Sequence, residues 1–124
     1  MEYKIYCEDA ASIINTIFSC FKKKDEDGQR VKIDPQGVEI DTWDITSTGK
    51  DVEVHIHTTQ QWEEVGNIHL DPSKDKYFII ATFHYWANWT KNHTKGNEEA
   101  YYLGRFTELV LVQFYPQIGE VEIA

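Results

Sequence analysis

The sequence predicts an α+β fold: a mostly antiparallel β-sheet with one N-terminal helix packed on one face. Three observations lead there. Apolar residues alternate with polar ones over most of the chain, the pattern of half-buried strands. A single early stretch switches to helical spacing. Turn residues cut the remainder into short segments joined by tight connections. The whole of residues 1–124 reads as one globular domain, since 124 residues is a single domain's worth.

Tyr3, Ile5 and Cys7 alternate with Glu2, Lys4 and Tyr6, which predicts a first strand. Asp9 follows as a helix cap, because its carboxylate accepts from free backbone N–H groups. Ile13, Ile14, Ile17, Phe18 and Phe21 form an apolar stripe, giving a helix of about 13 residues that ends near Lys22–Lys24, where positive charge suits the dipole. A short strand is expected at Val31–Ile33, then a turn at 34–37. Val38, Ile40 and Thr42 alternate with Glu39 and Asp41, and Val52, Val54 and Ile56 with Glu53, His55 and His57, suggesting two consecutive hairpins. Tyr77–Trp86 reads as a long central strand with both faces covered at least in part, and 89–96 as a polar loop. Residues 97–114 are ambiguous. A second helix near 97–113 would start at Asn97 with Glu98 and Glu99 in its first turn. Val110-Leu111-Val112 and Phe114-Tyr115 favour a strand over 106–115 and Gly104 weakens a helix, so strand is the expectation preferred. A closing strand follows at Val121–Ile123.

Charge limits the function. The formal net charge is −9, from 21 acidic and 12 basic residues. Phosphate contacts by Lys and Arg dominate nucleic-acid affinity, and anionic membranes attract basic segments. Neither nucleic acid nor membrane is therefore an expected partner. Two cysteines, Cys7 and Cys20, are too few for a disulfide scaffold. No apolar leader opens the chain and no long apolar run occurs in it, so a cytoplasmic location is expected.

The sharpest feature is the segment 37–71. It carries Glu39, Asp41, Asp44, Asp51, Glu53, Glu63, Glu64 and Asp71 against Lys50 alone, seven of the nine net charges. Side chains two apart on a strand share a face. Glu39 and Asp41 thus group with Trp43, and Glu53 with His55 and His57. With Asp44, these residues make a candidate docking face for a basic protein, where an aromatic anchor adds contact energy and charge speeds association. The alternative is an ordinary solvated sheet face. Trp86 and Trp89, at a strand end, are a secondary contact or a pocket wall.

Catalytic signals are weak. His55 and His57 at i and i+2 could hold a metal with Asp41 or Glu39, but exposed cross-strand His–carboxylate pairs are commoner, and no metal and no cofactor is assigned. His57-Thr58-Thr59 is one H-x-T triplet, half of the pair that two-histidine phosphoesterases use. No G-x-S-x-G, phosphate loop, C-x-x-C or H-E-x-x-H occurs. The favoured expectation is an acidic inhibitor of a basic partner, such as an immunity protein against a toxin nuclease or a similar anti-defence factor. The alternatives are a small enzyme or ligand-binding domain with a pocket of His55, His57 and His84, or an assembly subunit.

Overall fold

The computed structural model describes residues 2–32, 34, 40, 42–45, 52–56, 65–114 and 118–123, with the backbone alone for 52–56 and 123. Their elements are β1 (Glu2–Cys7), α1 (Ala10–Ser19), β2 (Lys22–Lys24), β3 (Arg30–Lys32), β4 (Trp43–Ile45), β5 (Val52–Ile56), β6 (Gly66–Pro72), β7 (Phe78–Tyr85), α2 (Ala87–Asn92), α3 (Glu98–Phe114) and β8 (Ile118–Ile123). The strands form one sheet in the order β3-β2-β4-β5-β6-β7-β1-β8. Only β2 and β4 pair in parallel; every other neighbouring pair is antiparallel. The α+β class with a mostly antiparallel sheet therefore holds.

The alternation in β1 does what the sequence implies. Tyr3, Ile5 and Cys7 are buried, and they pair across to Ala81, Ile79 and the edge of β8. Asp9 caps α1, accepting from the Ser12 N–H at 3.2 Å. The helix is shorter than expected. It stops at Ser19, and Lys22–Lys24 form a strand instead of its C-terminal turn. The reason lies in Phe21, which is fully buried and stacks on Trp43 with centroids 6.4 Å apart. The chain leaves the helix to deliver that ring to the core, and the lysines then enter the sheet between β3 and β4.

The hairpins also differ from expectation. β3 pairs back with β2, and Asp25 closes their turn by accepting from the N–H groups of Asp27 and Gln29, both at 2.9 Å, while most of the strand expected at 38–42 lies outside the described residues. The forward hairpin is β4–β5.

Residues 98–114 are helical, which corrects the strand preferred for 106–115. Tyr102, Leu103, Phe106, Val110 and Phe114 lie on one side of α3 and are buried. A helix lets these five large side chains cover one sheet face together, and packing of that kind overrides the β preference of Val110-Leu111-Val112. The segment expected as a polar loop after Trp89 likewise begins with α2. Both α1 and α3 pack against the strands on the face that carries Ile5, Ile68, Ile79 and Phe83. Tyr102 ties the two layers by donating its hydroxyl to the Gly66 carbonyl at 2.8 Å. A Cβ at Gly66 would meet the Phe83 ring at 2.6 Å, so only glycine fits beneath that contact.

The opposite sheet face carries Lys4, Tyr6, His69, Phe78, Ile80, Thr82 and His84, all half-buried except the exposed His84. β7 is thus interior to the sheet, with alternate residues fully buried on the helix side only.

A cleft at the end of the first strand

Two residues proposed for the acidic face prove to be interior. Trp43 is 3% exposed and packs edge-on against Tyr102 and Phe106, with centroids 5.6 and 5.2 Å away. Asp44 is 2% exposed and accepts from Arg30 Nε at 3.0 Å and Nη2 at 2.6 Å. Neither lies on a surface open to a partner. The period-two pattern placed Trp43 with the acids, but β4 is covered on both sides, so its alternation carries no exposed face. Glu39, Asp41 and His57 lie outside the described residues, as do the side chains of Glu53 and His55. The backbone register sets Glu53 opposite His69 and His55 opposite Asp44. The His55–His57 metal reading lies outside the described residues too; among those residues no group of three His, Cys, Asp or Glu could hold a metal ion.

Trp86 and Trp89 come together at the start of α2. Trp86 is half-buried and donates its N–H to the Val65 carbonyl at 2.9 Å. Trp89 stacks between Tyr85 (5.2 Å) and His93 (4.7 Å), so much of its face is already occupied. His84, a candidate pocket histidine, stands on the open sheet face with its ring 4.3 Å from that of His69, on the side away from the helices.

A cleft of about 860 Å³ lies where β1 ends, α1 begins and β8 starts. Its walls are Tyr6, Cys7, Glu8, Asp9, Ser12, Ile13, Tyr77, Gly119 and Glu120. Each wall has a local cause. The β1–β8 register shifts at Tyr6/Cys7, leaving Gly119 as an extra residue that bends the edge strand away. The start of α1 is tied to the β6–β7 turn, since the N–H groups of Cys7 and Ala10 donate to the Tyr77 and Lys76 carbonyls, both at 2.9 Å. That turn is itself tightly made. Ser73 Oγ donates to Asp75 Oδ1 at 2.7 Å, the Tyr77 N–H donates to the same oxygen at 3.1 Å, and Lys76 adopts the left-handed φ of 66°. The outcome is a Tyr77 side chain held 62% exposed at the cleft rim.

Electrostatics make this cleft acidic. Glu8, Asp9 and Glu120 line it, and none of its lining residues is basic. Tyr6 donates its hydroxyl to Glu122 Oε2 at 3.0 Å, and this bond to a carboxylate raises the phenol's pKa above the ordinary 10.0. The hydrogen bond from Ser73, then the Tyr77 N–H, holds Asp75 below its ordinary value of 3.8 and therefore charged. Burial, followed by the neighbouring Asp9 charge, pushes the Cys7 thiol up, so the cleft contains no thiolate nucleophile near neutral pH. Three exposed carboxylates and two tyrosine faces suit a cationic side chain: carboxylates pair with guanidinium or ammonium, and aromatic rings attract a cation over their faces.

Sequence reasoning missed Tyr6, Tyr77, Glu8 and Glu120 because they come from three distant segments. One local signal was available. Tyr77 follows the turn-rich run Pro72-Ser73-Lys74-Asp75-Lys76, where a large aromatic at a turn end is out of place in a core. Among the described residues no helix is long and apolar enough to cross a membrane. No family model, curated protein or solved structure matches the chain.

Proposed function

We propose that this chain is a protein-binding domain that captures a basic partner, in the manner of an inhibitor or an immunity protein directed at a toxin nuclease. The observation that supports it is the acidic, aromatic-rimmed cleft between β1, α1 and β8, which has three carboxylates and no basic residue among its lining. Nuclease surfaces are basic because they hold phosphates. An acidic domain competes for such a surface, and the net charge of −9 steers the encounter. Tyr77 supplies the kind of exposed aromatic that anchors interfaces. The docking surface thus centres on Tyr6, Glu8, Tyr77 and Glu120. Interior Trp43 and Asp44 support the fold instead.

Tagged protein used as bait in lysate of its source tests this reading, at low and at high salt. Wild type retains a basic protein at low salt, and high salt weakens the capture. Tyr77→Ala and Glu8→Lys each reduce the amount retained, with the circular-dichroism spectrum unchanged. Retention of the same protein by both variants at wild-type level would refute the cleft as the docking site.

A further inference from the structure

The acids around the cleft divide into those already engaged and those still open. Asp9 spends a carboxylate oxygen on the α1 cap, and Glu122, outside the lining, accepts from Tyr6. Glu8, in the β1–α1 connection, and Glu120, in β8, are both exposed, and among the described residues neither has a hydrogen bond or an ion pair through its carboxylate. The strand register sets Glu120 directly opposite Tyr6. Tyr77 is 62% exposed, and among the described residues no other ring and no cation lies against its ring. Its backbone is nevertheless fixed, because its N–H donates to Asp75 and its carbonyl accepts from the Cys7 N–H. Half-buried Ile13 adds apolar surface to the wall.

We infer that the group this cleft takes is an arginine side chain of the basic partner, a step that rests on the cleft being the docking site. The guanidinium lies flat on the Tyr77 ring and donates to Glu8 and Glu120, while its methylene stem covers Ile13. Two features select guanidinium over ammonium. The first is the unstacked tyrosine face. A guanidinium is planar and weakly hydrated, so it stacks on an aromatic ring, whereas an ammonium is a compact, strongly hydrated point charge. The second is that the two open carboxylates come from separate segments. Five N–H donors in a fixed fork serve two carboxylates at once. The stem packs on apolar surface while the charged head stays with the acids. With no basic residue in the lining, no cation of the wall itself competes for Glu8 and Glu120. The volume of about 860 Å³ lies in the range of cavities that hold drug-sized ligands, so backbone on either side of the arginine enters with it.

NMR titration of the isotope-labelled full chain tests this with the peptide acetyl-Gly-Arg-Gly-amide and its lysine and citrulline counterparts. The arginine peptide shifts the amide signals of Ser12, Tyr77 and Gly119. The lysine peptide binds about fivefold more weakly, and the neutral citrulline peptide does not bind. Tyr77→Phe keeps the preference for arginine and Tyr77→Ala removes it. Glu8→Gln and Glu120→Gln, folded by circular dichroism, each weaken the arginine peptide about tenfold. Equal binding of the arginine and lysine peptides overturns the inference. So do shifts confined to another surface, or no binding of the arginine peptide at millimolar concentration. Capture of a basic protein from lysate that depends on Tyr77 and Glu8, with no preference for arginine, would leave the docking surface standing and remove the arginine. Arginine-selective binding at the cleft with no basic protein captured would leave a guanidinium site and remove the protein partner.

Discussion

Asp44→Ala should cost this domain a large part of its stability, although an acid in an acidic segment looks dispensable. Asp44 is 2% exposed and accepts two short hydrogen bonds from Arg30. Removing one partner of a buried ion pair leaves the other charge uncompensated and costs ~3–5 kcal/mol. The lower figure applies here, because the Arg30 side chain keeps 23% exposure and turns partly to water. Unfolding entropy of about 2.1 cal/mol/K per residue gives ~260 cal/mol/K for this chain, so ~3 kcal/mol lowers Tm by roughly 12 °C. Thermal melting followed by circular dichroism measures the shift. Arg30→Ala should cost at least as much, because it strands the more deeply buried Asp44 carboxylate, and the double variant little more than either single one, since the two side chains act as a unit. A fall of under ~3 °C for Asp44→Ala would mean the pair is worth no more than a screened surface contact, and the interior placement of this carboxylate would be refuted.

Two further outcomes follow from single positions. Gly104 lies within α3, and a Cβ there would meet nothing within 4 Å. Gly104→Ala should therefore stabilise the fold by about 0.8–1 kcal/mol, or ~3–4 °C in Tm, and an unchanged or lowered melting point would contradict helix at this position. Cys7 should alkylate slowly in the native state, as burial and Asp9 both disfavour its thiolate. Its rate, followed by peptide mass spectrometry, should still be climbing as pH passes 9.0 and should rise sharply once urea unfolds the chain. Rapid native alkylation at neutral pH would show the cleft floor to be open to solvent and electropositive.

The parts legible in the sequence were those set by near neighbours. The alternation of residues 2–7, the Asp9 cap and the long strand ending near Trp86 all depend on spacing within a few residues. What escaped depended on distant partners. Lys22–Lys24 looked like a helix end until Phe21 required the chain to turn. Asp44 looked like surface until Arg30, fourteen positions away, reached over to it. Val110-Leu111-Val112 favours strand locally, but Tyr102 and Phe106 have Trp43 and Phe83 to pack on, and a helix alone brings them there. The cleft was invisible for the same reason: residues 6–13, 77 and 119–120 meet only in three dimensions.

The pairing of β1 also governs the order in which this chain acquires its structure. Residues 3–7 lie between strands formed by residues 78–85 and 118–123. Residues 3–7 therefore find their β8 partner only after a loop spanning most of the chain has closed. Such non-local closure is entropically costly and slows folding. During synthesis the strand edge of residues 3–7 that pairs with β8 waits uncovered, a period of exposure to misassociation that ends only when Ile118–Ile123 emerges and completes the sheet.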